Sequence, residues 1–164
     1  MWIRTGTSAD APAIEALLRQ AFAGQPHSRG NEHRIVARLR EDGALALGLV
    51  ADIDGRVAGY IAFSPVSLAG NEGWYGLGPV AVLPAHQGHG IGSALVRAGL
   101  LELRSRDAAG CVVLGDPGWY ARFGFQARPG LVLDGVPAGY FQAQAFRGAP
   151  PQGSVTYHAA FQAG

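Results

Sequence analysis

The segment from residue 80 to residue 95 limits the possible folds of this 164-residue chain more than any other part of the sequence. An apolar run ends at Leu83, a glycine-rich turn follows, and apolar residues then recur at helical spacing from Ile91. Gly88, Gly90 and Gly92 let the backbone of the turn approach a ligand closely, because no Cβ intervenes. A strand, a turn and a helix in this order favour an α/β or a mixed α+β fold.

This turn is a predicted phosphate-binding site. Backbone N–H groups at the start of the helix point at one place, and the helix N-terminus adds roughly half a positive charge there. A Walker-type loop needs a lysine, and all thirteen basic residues of the chain are arginines. A dinucleotide-binding turn has the spacing G-x-G-x-x-G, whereas this turn has G-x-G-x-G. The pattern Q/R-x-x-G-x-G/A matches residues 87–92 at every fixed position.

The other hydrophobic patterns predict a mixed sheet with helices. Asp54-Gly55 is a predicted hairpin turn, and Gly78-Pro79 is expected to make its strand bulge or splay, because proline lacks the N–H that a ladder needs. No linker divides the chain, so one domain over residues 1–164 is expected. The predicted strands span 2–5, 45–53, 56–63, 77–83 and 111–114, with short ones near 131–133, 140–146 and 154–158. One helix is predicted to start at Thr7, with Asp10 completing a capping box, and further helices are predicted over about 31–42 and 91–107. Residues 116–122 are predicted to form a short helix or turn.

Composition argues against some partners. Charged residues make up 15% of the chain and the net charge is +1, which gives no electrostatic basis for binding nucleic acid or a membrane surface. No apolar run approaches the ~20 residues that span a bilayer, and residues 1–5 do not resemble a signal peptide, so a cytoplasmic protein is expected. The single cysteine, Cys111, excludes an intramolecular disulfide and is predicted to be a buried core thiol.

Two motifs give the chain a resemblance to the GCN5-related N-acetyltransferase (GNAT) family. The first is the turn at residues 87–92. The second is GDPGWYARFGF at residues 115–125, which looks like that family's short helix followed by a Gly-Phe strand entry. Residues 77–82 with 120–125 are similar to the YhbS-like branch, and the resemblance covers nearly the whole chain. It implies a GNAT fold, with a central, mostly antiparallel, splayed sheet flanked by helices, and acetyl-CoA as co-substrate without a metal.

The resemblance also implies where CoA lies. In the family, the pantetheine arm inserts beside the splayed strand, here pairing with the backbone of Val80 and Val82, and the pyrophosphate lies on the turn. Gln87 stands where an arginine is more common, so the site relies more on amides and the helix dipole. His89 either contacts phosphate or is a solvated loop residue. The residues expected to contact CoA are Val80, Ala81, Val82, Gln87, Gly88, His89, Gly90, Ile91, Gly92 and Ser93.

Tyr120 occupies the position where the family often has a general acid. A phenol, with a pKa near ~10, can protonate a departing CoA thiolate, whose thiol has a pKa near ~8.5. The alternative is that Tyr120 only packs against Phe123 and Phe125. The general base stays open, because the strand at 77–83 has no carboxylate where some family members have a glutamate. The candidates are Glu32, Glu72 and Asp116, of which Asp116 alternatively caps the helix that begins at Pro117.

The resulting expectation is an N-acetyltransferase that transfers acetyl from acetyl-CoA to a primary amine by direct attack in a ternary complex. The acceptor, a small-molecule amine or an amine of a peptide or protein, stays open. The alternatives are a non-catalytic acyl-CoA-binding module and an acyltransferase that uses another acyl chain or a hydroxyl acceptor. The predicted strands near 140–146 and 154–158 are candidates for pairing across a homodimer.

Overall fold

The structure is a computed structural model that describes residues 1–162. Its helices are α1 (Ala11–Phe22), α2 (Glu32–Glu41), α3 (Ile91–Ser105) and α4 (Pro117–Tyr120). Its strands are β1 (Trp2–Thr5), β2 (Leu47–Ile53), β3 (Arg56–Pro65), β4 (Ser67–Leu68), β5 (Trp74–Val82), β6 (Gly110–Leu114), β7 (Leu131–Val132), β8 (Phe141–Ala145) and β9 (Gly153–Thr156).

Six strands form the main sheet in the order β1-β2-β3-β5-β6-β8. Every neighbouring pair is antiparallel except β5 and β6, which are parallel. The expected mixed, mostly antiparallel sheet is therefore confirmed. A small second sheet has the order β4-β9-β7. β9 lies between two strands, and Gln126 forms an isolated bridge with Ala143 of β8, so both strands already have partners within the chain. Pairing of these strands across a homodimer stays a prediction.

Helices cover both faces of the main sheet, because alternate strand residues point to opposite sides. Leu49 and Ala51 of β2 pack in the cluster that contains the buried face of α3. Val50 between them packs with Ile14 and Leu17 of α1 on the other face. The hairpin between β2 and β3 turns at Asp54-Gly55, with φ values of 52° and 82°, as predicted.

β5 bulges and then separates from β6, as the Gly78-Pro79 pair predicts. Leu77 pairs with Phe63 and Val80 pairs with Ile61, so β5 has one more residue than β3 between these two pairs. Pairing of β5 with β6 ends at Leu77 and Val113. From residue 78 to residue 82, β5 has β3 on one edge and no strand of the described chain on the other.

Several predicted boundaries differ from those of the structure. β5 begins at Trp74 and not at residue 77, since parallel pairing with β6 starts at Trp74 and Gly110. Gly110 makes room for this pair: a Cβ there would lie 2.4 Å from the Trp74 ring. The Thr7 capping box forms, with the Thr7 amide donating to Asp10 at 2.8 Å, but it starts a 3-10 turn, and α1 begins only at Ala11.

Candidate active site

The glycine-rich turn between β5 and α3 presents unpaired backbone amides. Gly88 and Gly90 have φ values of 81° and 80°, a conformation that side chains disfavour. Within the described part of the chain, no amide from Gly88 to Ser93 donates a hydrogen bond, and the next one, of Ala94, donates to the Gly90 carbonyl at 3.0 Å. Free N–H groups at the start of a 15-residue helix form an arrangement that binds phosphate.

Two side chains of the turn fold back onto its own backbone. Gln87 donates from Nε2 to the Val82 carbonyl at 3.0 Å, and His89 Nδ1 lies 3.2 Å from the His86 carbonyl oxygen. Gln87 therefore ties the turn to the end of β5 instead of adding charge. The sequence pattern carries no signal for this bond, which occupies one carbonyl of the segment expected to pair with pantetheine.

A cavity of about 460 Å³ joins the turn to the open edge of β5. The turn contributes Gln87, α3 contributes Gly92, and Trp119 of α4 forms part of the wall. The segment that connects α1 and α2 closes the opposite side. The lining residues are Ala21, Phe22, Gln25, Pro26, His27, Ser28, Glu32, Val80, Ala81, Val82, Gln87, Gly92 and Trp119.

A second cavity of about 370 Å³ adjoins the first. It extends along residues 77–80 of β5, where that strand leaves β6, and Tyr120 lies in its wall. The rest of its lining comes from the end of α1, the segment before α2, α2 itself, the end of β6 and Phe161. The residues that line both cavities are Phe22, His27, Glu32 and Val80. Val80 therefore stands at the junction between the turn side and the Tyr120 side.

Tyr120 is held with its ring in the core and its hydroxyl unpaired. The side chain is 9% exposed and its ring packs edge-on against Trp119 and Phe125, with centroids 4.8 and 5.9 Å away. A Cβ at Gly115 would lie 2.5 Å from the Tyr120 ring, so only glycine leaves room there. Burial first, and the nearby Cys111 second, raise the pKa of Tyr120 to about 12. The phenol is therefore protonated at neutral pH, and it hydrogen-bonds to no other residue of the described chain.

The three carboxylates that are candidates for the general base differ in exposure and in whether they line the two cavities. Glu32 begins α2, is half-buried and lines both cavities, and Ser28 Oγ donates to its carboxylate at 2.7 Å. Glu72 is exposed before β5 and lines neither cavity. Asp116 is exposed, lines neither cavity, and caps α4 by accepting from the Gly118 amide at 2.9 Å.

Comparison with known sequences places these features in a family. The family profile described as acetyltransferase (GNAT) domain matches residues 45–127, about half of the chain. The match includes β5, the turn, α3 and Tyr120. The chain belongs to the GNAT acetyltransferase family. The resemblance inferred from the two sequence motifs is therefore confirmed, while Glu32 lies outside the matched residues.

Individual GNAT relatives cover more of the chain. YhbS of Escherichia coli K12, described as an uncharacterized N-acetyltransferase, is 46% identical over 128 residues, which are 77% of this chain and 74% of YhbS. A GNAT family acetyltransferase from Brucella melitensis, crystallised with acetyl-CoA, has a TM-score of 0.88 and 51% identity, covering 98% of this chain and 97% of that one. Escherichia coli YhbS, crystallised with CoA, has a TM-score of 0.89 and 40% identity, covering 99% and 92%. The predicted GNAT fold is confirmed by these structures.

Two buried glutamines of this GNAT chain support the Tyr120 segment. Gln142 Nε2 donates to the Gly115 carbonyl at 3.2 Å, and Gln144 Nε2 donates to the Phe123 carbonyl at 2.9 Å. Both side chains come from β8 and thereby fix the chain on each side of α4. Sequence reasoning missed them, since glutamine at alternate strand positions is typical of a solvent-facing side. Here both glutamines are buried.

Three further features of the GNAT chain concern its cysteine, metal binding and membrane spans. Cys111 is 0% exposed, and burial raises the pKa of its thiol, so the predicted buried core thiol is confirmed. Among residues 1–162, no group of three or more His, Cys, Asp or Glu side chains is arranged to hold a metal ion. Across the same residues, no helix combines the length and apolar character needed to cross a membrane.

Proposed function

We propose that this chain is an acetyl-CoA-dependent N-acetyltransferase that transfers the acetyl group to a primary amine by direct attack in a ternary complex. The observation that carries the proposal is the junction at Val80, where the cavity beside the free amides meets the cavity that contains Tyr120. Family membership supports acetyl transfer. Two similar structures, one with acetyl-CoA and one with CoA, support the choice of co-substrate.

In this proposal, CoA binds mainly to backbone. The pyrophosphate lies on the amides of residues 88–93, which have no partner within the described chain and lie at the positive end of α3. The pantetheine arm lies along residues 78–82, whose free edge supplies strand-like hydrogen bonds. The apolar wall that includes Trp119 and Phe22 covers the arm.

Tyr120 acts as the general acid. Amides of β5 near Val80 and Val82 polarise the thioester carbonyl as the amine attacks. The C–S bond then breaks, and the Tyr120 O–H protonates the departing sulfur. A pKa of about 12 keeps the phenol protonated at neutral pH, so its proton is available while the C–S bond breaks, and solvent then returns a proton to the phenolate.

In this proposal, Glu32 acts as the general base. Of the three candidate carboxylates, it alone lines both cavities, whereas Glu72 and Asp116 line neither. An alkyl ammonium must lose a proton before its nitrogen attacks, and a half-buried carboxylate beside the junction accepts that proton directly or through water. The hydrogen bond from Ser28 Oγ fixes the carboxylate in place.

A calorimetric titration with acetyl-CoA, with ATP and NAD as controls, tests the co-substrate. We expect saturable binding of acetyl-CoA alone. Absence of binding by a folded sample would overturn the proposal. Release of the CoA thiol, followed with a panel of small amines and peptide amines, then tests transfer and identifies the acceptor class.

A non-catalytic acyl-CoA-binding module is the second candidate. The observation that favours it is β5, which has no carboxylate along Trp74–Val82. This candidate predicts acetyl-CoA binding without acceptor-dependent thiol release for any amine or hydroxyl compound. Release with a hydroxyl acceptor, or with a longer acyl-CoA only, would instead indicate an acyltransferase of another specificity.

A further inference from the structure

A third cavity, of about 340 Å³, lies apart from the proposed active site and shares no lining residue with its two cavities. It is bordered by the end of β1, the start of β2 and the C-terminal ends of α2 and α3. Its lining contains two arginines and a tyrosine but no carboxylate. The lining residues are Thr5, Gly6, Thr7, Ser8, Ile14, Arg40, Gly43, Leu45, Ala46, Leu47, Gly48, Tyr60 and Arg106.

Tyr60 contributes a buried hydroxyl without a partner to this cavity. The residue lies on β3 and is 1% exposed, and its hydroxyl hydrogen-bonds to nothing in the described chain. A Cβ at Gly48 would lie 2.7 Å from this hydroxyl, so the glycine keeps the space beside it open. Burial raises the pKa of Tyr60 to about 12, which leaves a neutral O–H donor. A buried donor without an acceptor is costly, and the cost is removed when a ligand supplies the acceptor.

The two arginines give the cavity its positive character. Arg40 is half-buried near the Tyr60 phenol, and within residues 1–162 its guanidinium forms no hydrogen bond and no ion pair. Arg106 is fixed by Glu102 at 3.0 Å and by the Ala46 carbonyl at 2.9 Å. The guanidinium of Arg40 therefore lacks a counter-charge on the wall of a cavity that also contains an unused O–H donor. Guanidinium and O–H groups together recognise carboxylate and phosphate oxygens.

We propose that this cavity binds a small oxyanion, a carboxylate or phosphate group that accepts the Tyr60 hydrogen bond and pairs with Arg40. The volume restricts the ligand to a small molecule. The proposal does not depend on the reaction proposed for the other two cavities.

Titration of the whole protein with inorganic phosphate and with succinate, at constant ionic strength, tests the site by calorimetry and thermal unfolding. We expect saturable binding that raises Tm. Tighter binding of phosphate or of succinate identifies which oxyanion the site takes. Tyr60→Phe and Arg40→Gln should each weaken binding about tenfold or more, as expected for a hydrogen bond to a charged group. Without ligand, the Tm of Tyr60→Phe should equal or exceed that of wild type, because the substitution removes a costly buried hydroxyl without a partner.

Two control variants test whether the anion binds in this cavity and not elsewhere on the protein. Arg34→Gln removes the same charge from an exposed position of α2 and should bind like wild type. Gly90→Glu blocks the phosphate-binding turn and should also keep the affinity. Absence of saturable binding by wild type would overturn the proposal. So would equal binding by Tyr60→Phe and Arg40→Gln, or loss of binding in Gly90→Glu.

Discussion

Tyr120 lies in the wall of a cavity, and its phenol has a pKa of about 12. Tyr120→Phe keeps the ring packing and removes only the donor. We expect kcat to fall by ~10²-fold, within the usual range for general acid catalysis, with little change in CoA affinity. Because the acid stays protonated well above neutrality, wild-type kcat should not fall between about pH 8 and about pH 10. Steady-state kinetics and calorimetry check both points, and an unchanged kcat in the variant would remove Tyr120 from the chemistry.

Glu32 differs from the other two candidate bases in lining both active-site cavities. Glu32→Gln should lower kcat/KM for the amine by ~10²-fold or more at neutral pH. The loss should shrink as the pH rises, because more of the amine is then already deprotonated. Glu72→Gln serves as the matched control, since Glu72 is exposed and lines neither cavity. A loss that does not depend on pH would argue against the role of base.

At the scale of elements, the turn before α3 depends on glycine for its shape and for its open surface. Gly90→Glu places a charged side chain where the free amides lie, so acetyl-CoA binding should be abolished. Gly70→Glu is the matched control, because Gly70 has a similar φ of 74° and open space around it. Calorimetry on folded samples of both variants measures the difference. Wild-type affinity in Gly90→Glu would contradict the assignment of the turn.

Local patterns predict the elements that local chemistry determines. The turn at 87–92, the hairpin at Asp54-Gly55 and the bulge at Gly78-Pro79 follow from glycine and proline backbone preferences. The first three residues of β5 and the whole of β4 depend on strand partners far away in sequence, so periodicity does not reveal them. Tyr120 and Glu32 line the same cavity, whereas Asp116 does not, and this arrangement also depends on tertiary packing.

At the scale of the whole molecule, Arg4 connects the first strand to two other parts of the chain. Its guanidinium donates to both oxygens of Asp10, at 2.8 and 2.9 Å, and to Asp52 of β2 at 3.1 Å. These bonds from Arg4, followed by that from the Thr7 amide, hold the pKa of Asp10 well below its usual range. The carboxylate therefore stabilises the fold above its unfolded pKa of about 3.9, and this contribution disappears as the pH falls toward the folded pKa.

Asp10→Asn should accordingly lower the free energy of unfolding by about 1–3 kcal/mol at neutral pH. The difference from wild type should narrow below about pH 4. Urea unfolding at about pH 7 and about pH 3 measures both values. Glu15→Gln, which removes an exposed pair with Arg19, should change little. An equal loss at both pH values would contradict the assignment to the charged carboxylate.

The unpaired amides of residues 88–93 have a consequence for divergence among GNAT proteins. In the proposed function, CoA binds these amides through main-chain contacts, and such binding is insensitive to side-chain substitution, provided that the glycines remain. The cavity beside Tyr120 is lined by side chains such as Arg29, Leu114 and Phe161, so single substitutions there alter its shape and charge. We therefore expect acceptor preference to change by point mutation within this scaffold while preference for the acyl donor is inherited unchanged.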